Sequence, residues 1–213
     1  RGLHGCGVPE NSLAAFHRAA EAGYGAELDV RLTKDGRLAV IHDATLDRVC
    51  GVSGRAAELT AAALSALRLE GTEERIPFLE EVAPLFAGRA PLIVELKTDW
   101  RSAGDLARRT VECLDRFSID YCVESFDPRP LLWLRRRRPD VLRGQLSQNF
   151  HRHPSGQGLW NRLALTKLLY NVFTRPDFVA YRFGDQERLA VRLCRRSGVR
   201  MAYWTLRSWA DII

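Results

Sequence analysis

Gly25-Ala26-Glu27-Leu28-Asp29-Val30-Arg31-Leu32-Thr33-Lys34-Asp35-Gly36-Arg37-Leu38-Ala39-Val40-Ile41-His42-Asp43 is the stretch on which the fold and the chemistry both turn. Residues two apart on a strand project to the same side. A strand from Ala26 to Leu32 therefore puts Glu27 and Asp29 on one face, with Leu28 and Val30 on the other. Two carboxylates held that close repel unless one takes a proton or a cation sits between them. Alone, the pattern also fits a solvent-facing edge on which acids alternate with apolar residues. Thr33-Lys34-Asp35-Gly36 is a turn sequence, Gly being available for positive φ. The apolar run Leu38 to Ile41 then reads as a second strand folding back, which brings His42 towards the level of Asp29. An imidazole beside paired carboxylates is suited to proton transfer near neutral pH.

A third carboxylate comes later, where the buried apolar run Leu92 to Val94 ends in Glu95-Leu96-Lys97. Alternate spacing at a strand end again puts two polar groups on one face. Glu95 can join the metal shell, and Lys97 can meet an anion.

Around these segments strand and helix alternate. Arg1 to Pro9 reads as a strand end running into a loop, followed by a helix capped by Asn11 or Ser12 and stopped near Gly23. After Asp43 a polar segment runs to Gly54, followed by a small-residue helix from Thr60 through Leu67. Ile76-Pro77-Phe78 is expected to open a helix, Pro being suited to a first turn, with Gly88 ending it. Beyond Lys97 the pattern predicts a helix over Asp105 to Phe117, a strand into Ser125-Phe126, a helix over Pro130 to Arg138 and a strand near Leu142 to Ser147. Gln148 to Ala164, rich in Asn, His, Gly and Pro, reads as a long functional loop. Its His151 and His153 are taken as exposed histidines with no acidic partner nearby. A strand over Phe178 to Phe183, a helix over Gln186 to Arg196 and a strand over Val199 to Leu206 complete the pattern. Such alternation argues for a parallel sheet with helical crossovers, either doubly wound or a (β/α)8 barrel. Polar strand ends favour the barrel, whose sites lie at the carboxyl ends of its strands. Counting Arg1 as a strand start, seven strands are expected to be parallel, with the hairpin strand antiparallel.

Composition bounds the alternatives. At 213 residues and 46% hydrophobic content the chain can bury one sizeable core. The net charge of +6 favours anionic ligands without choosing among phosphate, nucleic acid and a membrane surface. Arg135 to Arg138 are read as a solvated helix face, and no nucleic-acid partner is expected. The five Cys are scattered without metal-ligand spacing. No apolar run is long enough for a transmembrane segment, and no leader pattern opens the chain, so a cytoplasmic location is expected.

The sequence resembles the glycerophosphodiester phosphodiesterase family. The resemblance rests on Arg1-Gly2, Pro9-Glu10-Asn11-Ser12, Glu27-Leu28-Asp29-Val30, Thr33-Lys34-Asp35-Gly36, Ile41-His42-Asp43, Leu46-Asp47-Arg48, Ile76-Pro77-Phe78-Leu79-Glu80-Glu81, Glu95-Leu96-Lys97, Ser125-Phe126-Asp127-Pro128 and Trp204-Thr205, in that order. It implies an α/β fold, a (β/α)8 TIM barrel with a β-hairpin after the second strand. It also implies one divalent cation held by Glu27, Asp29 and Glu95, for which carboxylate ligands favour Mg²⁺ or Ca²⁺ over zinc. Arg1 and Lys97 then bind the phosphodiester, His42 is one of two proton-transfer histidines, Glu10 orients other groups, and Trp204 walls the glycerol pocket. The family's other histidine belongs immediately before Arg1, and a closing strand belongs after Ile213. Residues 1–213 are thus expected to be a single catalytic domain trimmed at both ends. The expected reaction is metal-assisted hydrolysis of a small-molecule glycerophosphodiester to sn-glycerol 3-phosphate and an alcohol. The alternatives are a phospholipase D-like enzyme acting on lysophospholipids or sphingomyelin, for which Leu163 to Phe173 offers a lipid-facing flap, and a non-catalytic barrel that binds phosphate-bearing ligands. Composition says nothing about the oligomeric state.

Overall fold

A computed structural model describes residues 1–99, 102–153 and 158–206. The chain divides into two compact units, 1–123 and 124–213, with the division falling inside one strand.

The first unit begins with α1 (Leu13–Glu21), whose amino end is capped by Ser12: its Oγ accepts from the Ala15 amide at 3.1 Å. Ala15, Phe16, Ala19 and Ala20 form its buried face. Next come β1 (Ala26–Leu32), β2 (Leu38–Val40), the short α2 (Asp47–Cys50), α3 (Ala61–Ser65), α4 (Leu79–Phe86), β3 (Leu92–Leu96), α5 (Ala103–Leu114) and β4 (Tyr121–Ser125). Strand order here is β2-β1-β3-β4. β1 and β2 form the expected antiparallel hairpin, with Val30 opposite Val40 and Leu32 opposite Leu38. Thr33 closes the turn, its amide donating to the Arg37 carbonyl at 3.0 Å, and Gly36 adopts φ +78°. The turn is also tied down by Asp35, whose Oδ1 accepts from Thr33 Oγ1 and from the Ala61 amide that opens α3.

Three expectations fail in this unit. Arg1-Gly2 forms no strand among the described residues; Gly2 makes a single backbone bond to the Glu27 carbonyl (3.2 Å). Among the described residues the strands apart from the hairpin strand β2 are therefore six (β1 and five from β3 onward) and not seven. Ile76-Pro77-Phe78 does not open the helix. Phe78 bridges Ala39, and the Val40 amide donates to the Pro77 carbonyl at 2.8 Å, so this segment extends the hairpin before α4 begins at Leu79. Proline, which lacks an amide proton, is tolerated there because only its carbonyl is needed. The polar segment before Gly54 also contains α2, which no apolar period announces.

The second unit comprises α6 (Pro128–Arg137), β5 (Arg143–Ser147), α7 (Leu159–Thr166), α8 (Asn171–Thr174), β6 (Phe178–Arg182), α9 (Leu189–Arg196) and β7 (Arg200–Trp204), with parallel order β5-β6-β7. α7 corrects the loop expected through Ala164. The helix begins at Leu159 after Gly158, and Leu165 and Thr166 are its buried residues. His153 does have an acidic neighbour: its Nε2 lies 4.0 Å from the buried Asp185. Pro154 to Gln157 and Arg207 to Ile213 lie outside the described residues.

Candidate active site

The backbone pairing of β1 with β3 puts the three expected metal ligands together. Asp29 is the register partner of Glu95, and Glu27 lies two residues before Asp29 on the same face. Carboxylate oxygens of Glu27, Asp29 and Glu95 all lie within 4.8 Å of one another. Asp29 is fully buried and Glu95 nearly so, whereas Glu27 is partly open. The Lys97 amide continues the pairing by donating to the Val30 carbonyl (3.0 Å), which brings the Lys97 side chain to the same place. Its Nζ stands 2.7 Å from Glu95 Oε1 and 3.1 Å from Asp29 Oδ1.

Asp29 is held from the other side by α1's approach. Asn11 Nδ2 donates to Asp29 Oδ2 at 2.9 Å, and Arg1 Nε lies 3.3 Å from that oxygen. Asn11 sits at φ +55°, a left-handed conformation that Asn adopts more readily than most residues. Gly2 allows Arg1 to pass α1: at φ +70°, a Cβ there would lie 2.8 Å from the Ala15 carbonyl carbon, so a side chain is excluded. The backbone nitrogen of Arg1 lies 2.8 Å from Glu27 Oε2.

His42 is delivered by the hairpin. The Ile41 amide donates to the Asp29 carbonyl (2.9 Å), setting the next residue beside the acids. His42 Nδ1 lies 2.6 Å from Asp43 Oδ1. Because a carboxylate only accepts, Nδ1 carries the proton in that bond and Nε2 is left with a lone pair in the neutral ring. The His42 carbonyl accepts from Arg31 Nε (3.1 Å) and Nη2 (2.7 Å). Arg48 spans two acids, with Nε 2.5 Å from Asp43 Oδ2 and Nη2 2.5 Å from Glu10 Oε1. Glu10 Oε2 accepts from Arg1 Nη1 at 2.9 Å. An unbroken chain of polar contacts thus runs from Arg1 through Glu10, Arg48 and Asp43 to His42.

Electrostatics follow from this crowding. Burial pushes the Glu95 carboxyl up, to about 7; Asp29 adds to the effect, and Lys97 opposes it. Burial and the neighbouring Asp29 also raise Glu27. Asp29 is held below the usual carboxylate range although its burial acts the other way, because Lys97, His42, Asn11 and Arg1 all favour its charged form. His42 is lowered, by burial first and the Lys97 charge second, which keeps the ring neutral around pH 7. Asp43 falls to about 2: burial resists, but Arg48 and His42 bonded to the carboxylate win.

These residues fit a divalent cation. The donors are hard oxygens, and the buried Asp29 Oδ1 meets the Lys97 ammonium at 3.1 Å and no other donor among the described residues. Repulsion among the acids is only partly offset by Lys97 and Arg1.

Arg1, Glu10, Glu27, Asp29, His42, Glu95 and Lys97 are therefore brought together, all within the first unit. Trp204 lies in the second, at the end of β7, where its Nε1 donates to the Ala180 carbonyl (3.3 Å) and its ring packs edge-on against Phe126. Sequence reasoning offered Asn11 only as a helix cap, a place Ser12 takes, and assigned no site role to Arg31 or Arg48. Strand alternation could have found Arg31, two residues beyond Asp29. Arg48 lies in a matched motif, but its partners are distant in sequence.

Comparison with known proteins identifies the family. The profile of the glycerophosphoryl diester phosphodiesterase family matches residues 1–213. A glycerophosphodiester phosphodiesterase of Caldanaerobacter subterraneus subsp. tengcongensis is 29% identical over 216 residues, covering 96% of this chain and 83% of that protein. One from Bacillus altitudinis is 34% identical over 152 residues, 66% of this chain and 62% of that one. Among solved structures, an Oleispira antarctica phosphodiesterase in complex with the product sn-glycerol-3-phosphate superposes with a TM-score of 0.80 at 21% identity, over 95% of this chain and 81% of that one. A glycerophosphodiester phosphodiesterase from Thermotoga maritima gives 0.70 at 26% identity, over 95% and 82%. The fold is the α/β TIM-barrel type of these neighbours. With its sequence matched end to end and its carboxylate, cation and imidazole groups gathered at strand ends, this chain belongs to the glycerophosphoryl diester phosphodiesterase family, a family of phosphoric diester hydrolases.

Proposed function

We propose that residues 1–213 belong to one catalytic domain that hydrolyses glycerophosphodiesters to sn-glycerol 3-phosphate and an alcohol, with Mg²⁺ or Ca²⁺ held by Glu27, Asp29 and Glu95. The observation that carries this reading is the meeting of three carboxylates with Lys97, Arg1 and the Asp43-bound His42 at one set of strand ends. Bound there, a cation would offset charge on the non-bridging phosphate oxygens and lower the pKa of an attacking hydroxyl.

The remaining work falls to the chain. Arg1 and Lys97 supply charge-assisted hydrogen bonds to the phosphodiester. Both lie against carboxylates here, so they are aligned before substrate arrives. Neutral His42 accepts a proton at Nε2, while Asp43 fixes the ring tautomer and stabilises the imidazolium that forms. Glu10 keeps Arg1 in place. The bond formed is from the attacking oxygen to phosphorus and the bond broken joins phosphorus to the leaving alcohol; the proton that His42 takes from the attacking hydroxyl balances the one that the leaving oxygen gains.

The test is release of sn-glycerol 3-phosphate from glycerophosphocholine by the intact protein, with Mg²⁺, Ca²⁺ or a chelator. Turnover should require the cation, and His42→Ala should lower it by about 10²- to 10⁴-fold. Hydrolysis that survives chelation, or that persists in Glu27→Ala and Asp29→Ala variants, rules out the metal-dependent reading.

A further inference from the structure

The second unit carries a concentration of exposed apolar side chains that no core or candidate site explains. Within α7 and α8 and the turn between them, Trp160 is 81% exposed, Val172 72%, Leu159 68%, Phe173 63% and Leu169 52%. Single exposed apolar residues are ordinary; five within fifteen residues, on two helices joined by a short turn, make a concentration of the kind that meets another surface. The segment is well anchored, so its exposure does not come from loose packing. Leu165 and Leu168 are buried, Ser147 Oγ donates to the Leu165 carbonyl (2.7 Å), the Phe150 amide donates to Thr166 Oγ1 (3.1 Å), and Tyr170 Oη ties the two helices through Asn161 Oδ1 (2.6 Å).

Its charge says what the surface suits. From Gly158 to Pro176 there is no Asp or Glu, while Arg162, Lys167 and Arg175 are cationic. α6 packs beside α8 and contributes Arg135, whose Nη1 donates to the Phe173 carbonyl, along with the exposed Arg136 and Arg137. A Trp- and Phe-bearing apolar face rimmed by arginine is the composition of a segment that lies in a lipid interface, inserting its rings at headgroup depth while the cations meet phosphate. No helix of the described residues is long and apolar enough to cross a membrane, which fits lying on a surface and not spanning it. A second copy of the chain is a poorer occupant, since it would set one arginine cluster against another.

We infer that the α7–α8 face, with the α6 arginines at its edge, docks onto an anionic lipid bilayer. This stands apart from the catalytic reading and is tested without turnover. The full chain is sedimented with vesicles of phosphatidylcholine alone and of an equal mixture of phosphatidylcholine and phosphatidylglycerol. It should pellet with the mixture, pellet far less with phosphatidylcholine alone, and lose binding as salt is raised. Trp160→Ala with Phe173→Ala, and separately Arg136→Glu with Arg137→Glu, should each weaken vesicle binding by about tenfold or more. These side chains are exposed, so the variants should melt with the parent protein. The inference is overturned by failure to pellet with the mixed vesicles, by equal binding to both compositions, or by variants that bind like the parent. It is equally overturned if the protein forms a dimer that the apolar variants dissociate, which would make the face an interface between copies.

Discussion

Asp29 and Glu95 are register partners on adjacent parallel strands, and both reach the same ammonium, Lys97 Nζ, at 3.1 and 2.7 Å. Two buried acids sharing one buried base carry uncompensated negative charge, and removing the base makes it worse. Lys97→Ala should therefore destabilise the cation-free protein by roughly 3–5 kcal/mol, the usual cost of leaving a buried charge unpaired. Added Mg²⁺ or Ca²⁺ should raise the melting temperature of the variant more than that of the parent. Equal shifts in the two proteins would mean that Lys97 and the cation do not answer the same charges.

Proton competition at Glu95 predicts how cation binding depends on pH. Glu95 is pushed up to about 7, chiefly by burial, so the cation-free site holds a proton there below that pH. A cation must displace it, and affinity should fall by about tenfold per pH unit on the acid side. The sign for stability runs the other way. A carboxyl whose folded pKa lies above its ordinary value favours the fold below about 4.5, and that contribution is lost as pH rises through about 7. Cation-free protein should thus lose stability across that window, and saturating cation should remove the loss. Calorimetry in buffers of different ionisation enthalpy will count the released proton.

Arg48 joins the two halves of the charged chain by holding Asp43 and Glu10 together. Arg48→Gln and Asp43→Asn should each lower kcat/KM by about 10- to 100-fold, the range seen when an outer partner of a site group is lost. If Arg48 acts through Asp43, the double variant should be little worse than either single one, a coupling that independent residues do not show. Additive losses would assign Arg48 to Glu10 and Arg1 alone.

Asn11 combines an amide bonded to Asp29 with φ +55°. Asn11→Gly keeps access to that backbone conformation and loses the bond, whereas Asn11→Ala loses both. The alanine variant should be less stable than the glycine variant, reversing their usual order elsewhere. Against the parent, the lost charge-assisted bond should cost about 1.5–3 kcal/mol. Denaturant melts of the three proteins check both statements.

Local rules carried most of the site into view. Alternation along β1 and at the end of β3 placed Glu27, Asp29, Glu95 and Lys97, and the Asp35-Gly36 turn brought His42 back to them. Local rules failed where a partner is remote or a conformation unusual. Pro77 looked like a helix start because nothing nearby reveals that its carbonyl completes β2. The helix from Leu159 was masked by loop-forming residues before it, and its exposed apolar face lacks the clean amphipathic stripe that marks a packed helix.

The sequence by itself determined the alternation of strand and helix, the hairpin and the spacing that sets acids and lysine on one face, because these depend on the strand period and on turn chemistry within a few residues. Only the tertiary structure decided that Asn11, Arg31 and Arg48 close around that face, that Arg1 is joined to His42 through Glu10, Arg48 and Asp43, and that Glu95 is pushed up while Asp29 is held down. Those outcomes depend on burial and on distances between groups tens of residues apart, which backbone pairing sets and residue order does not display.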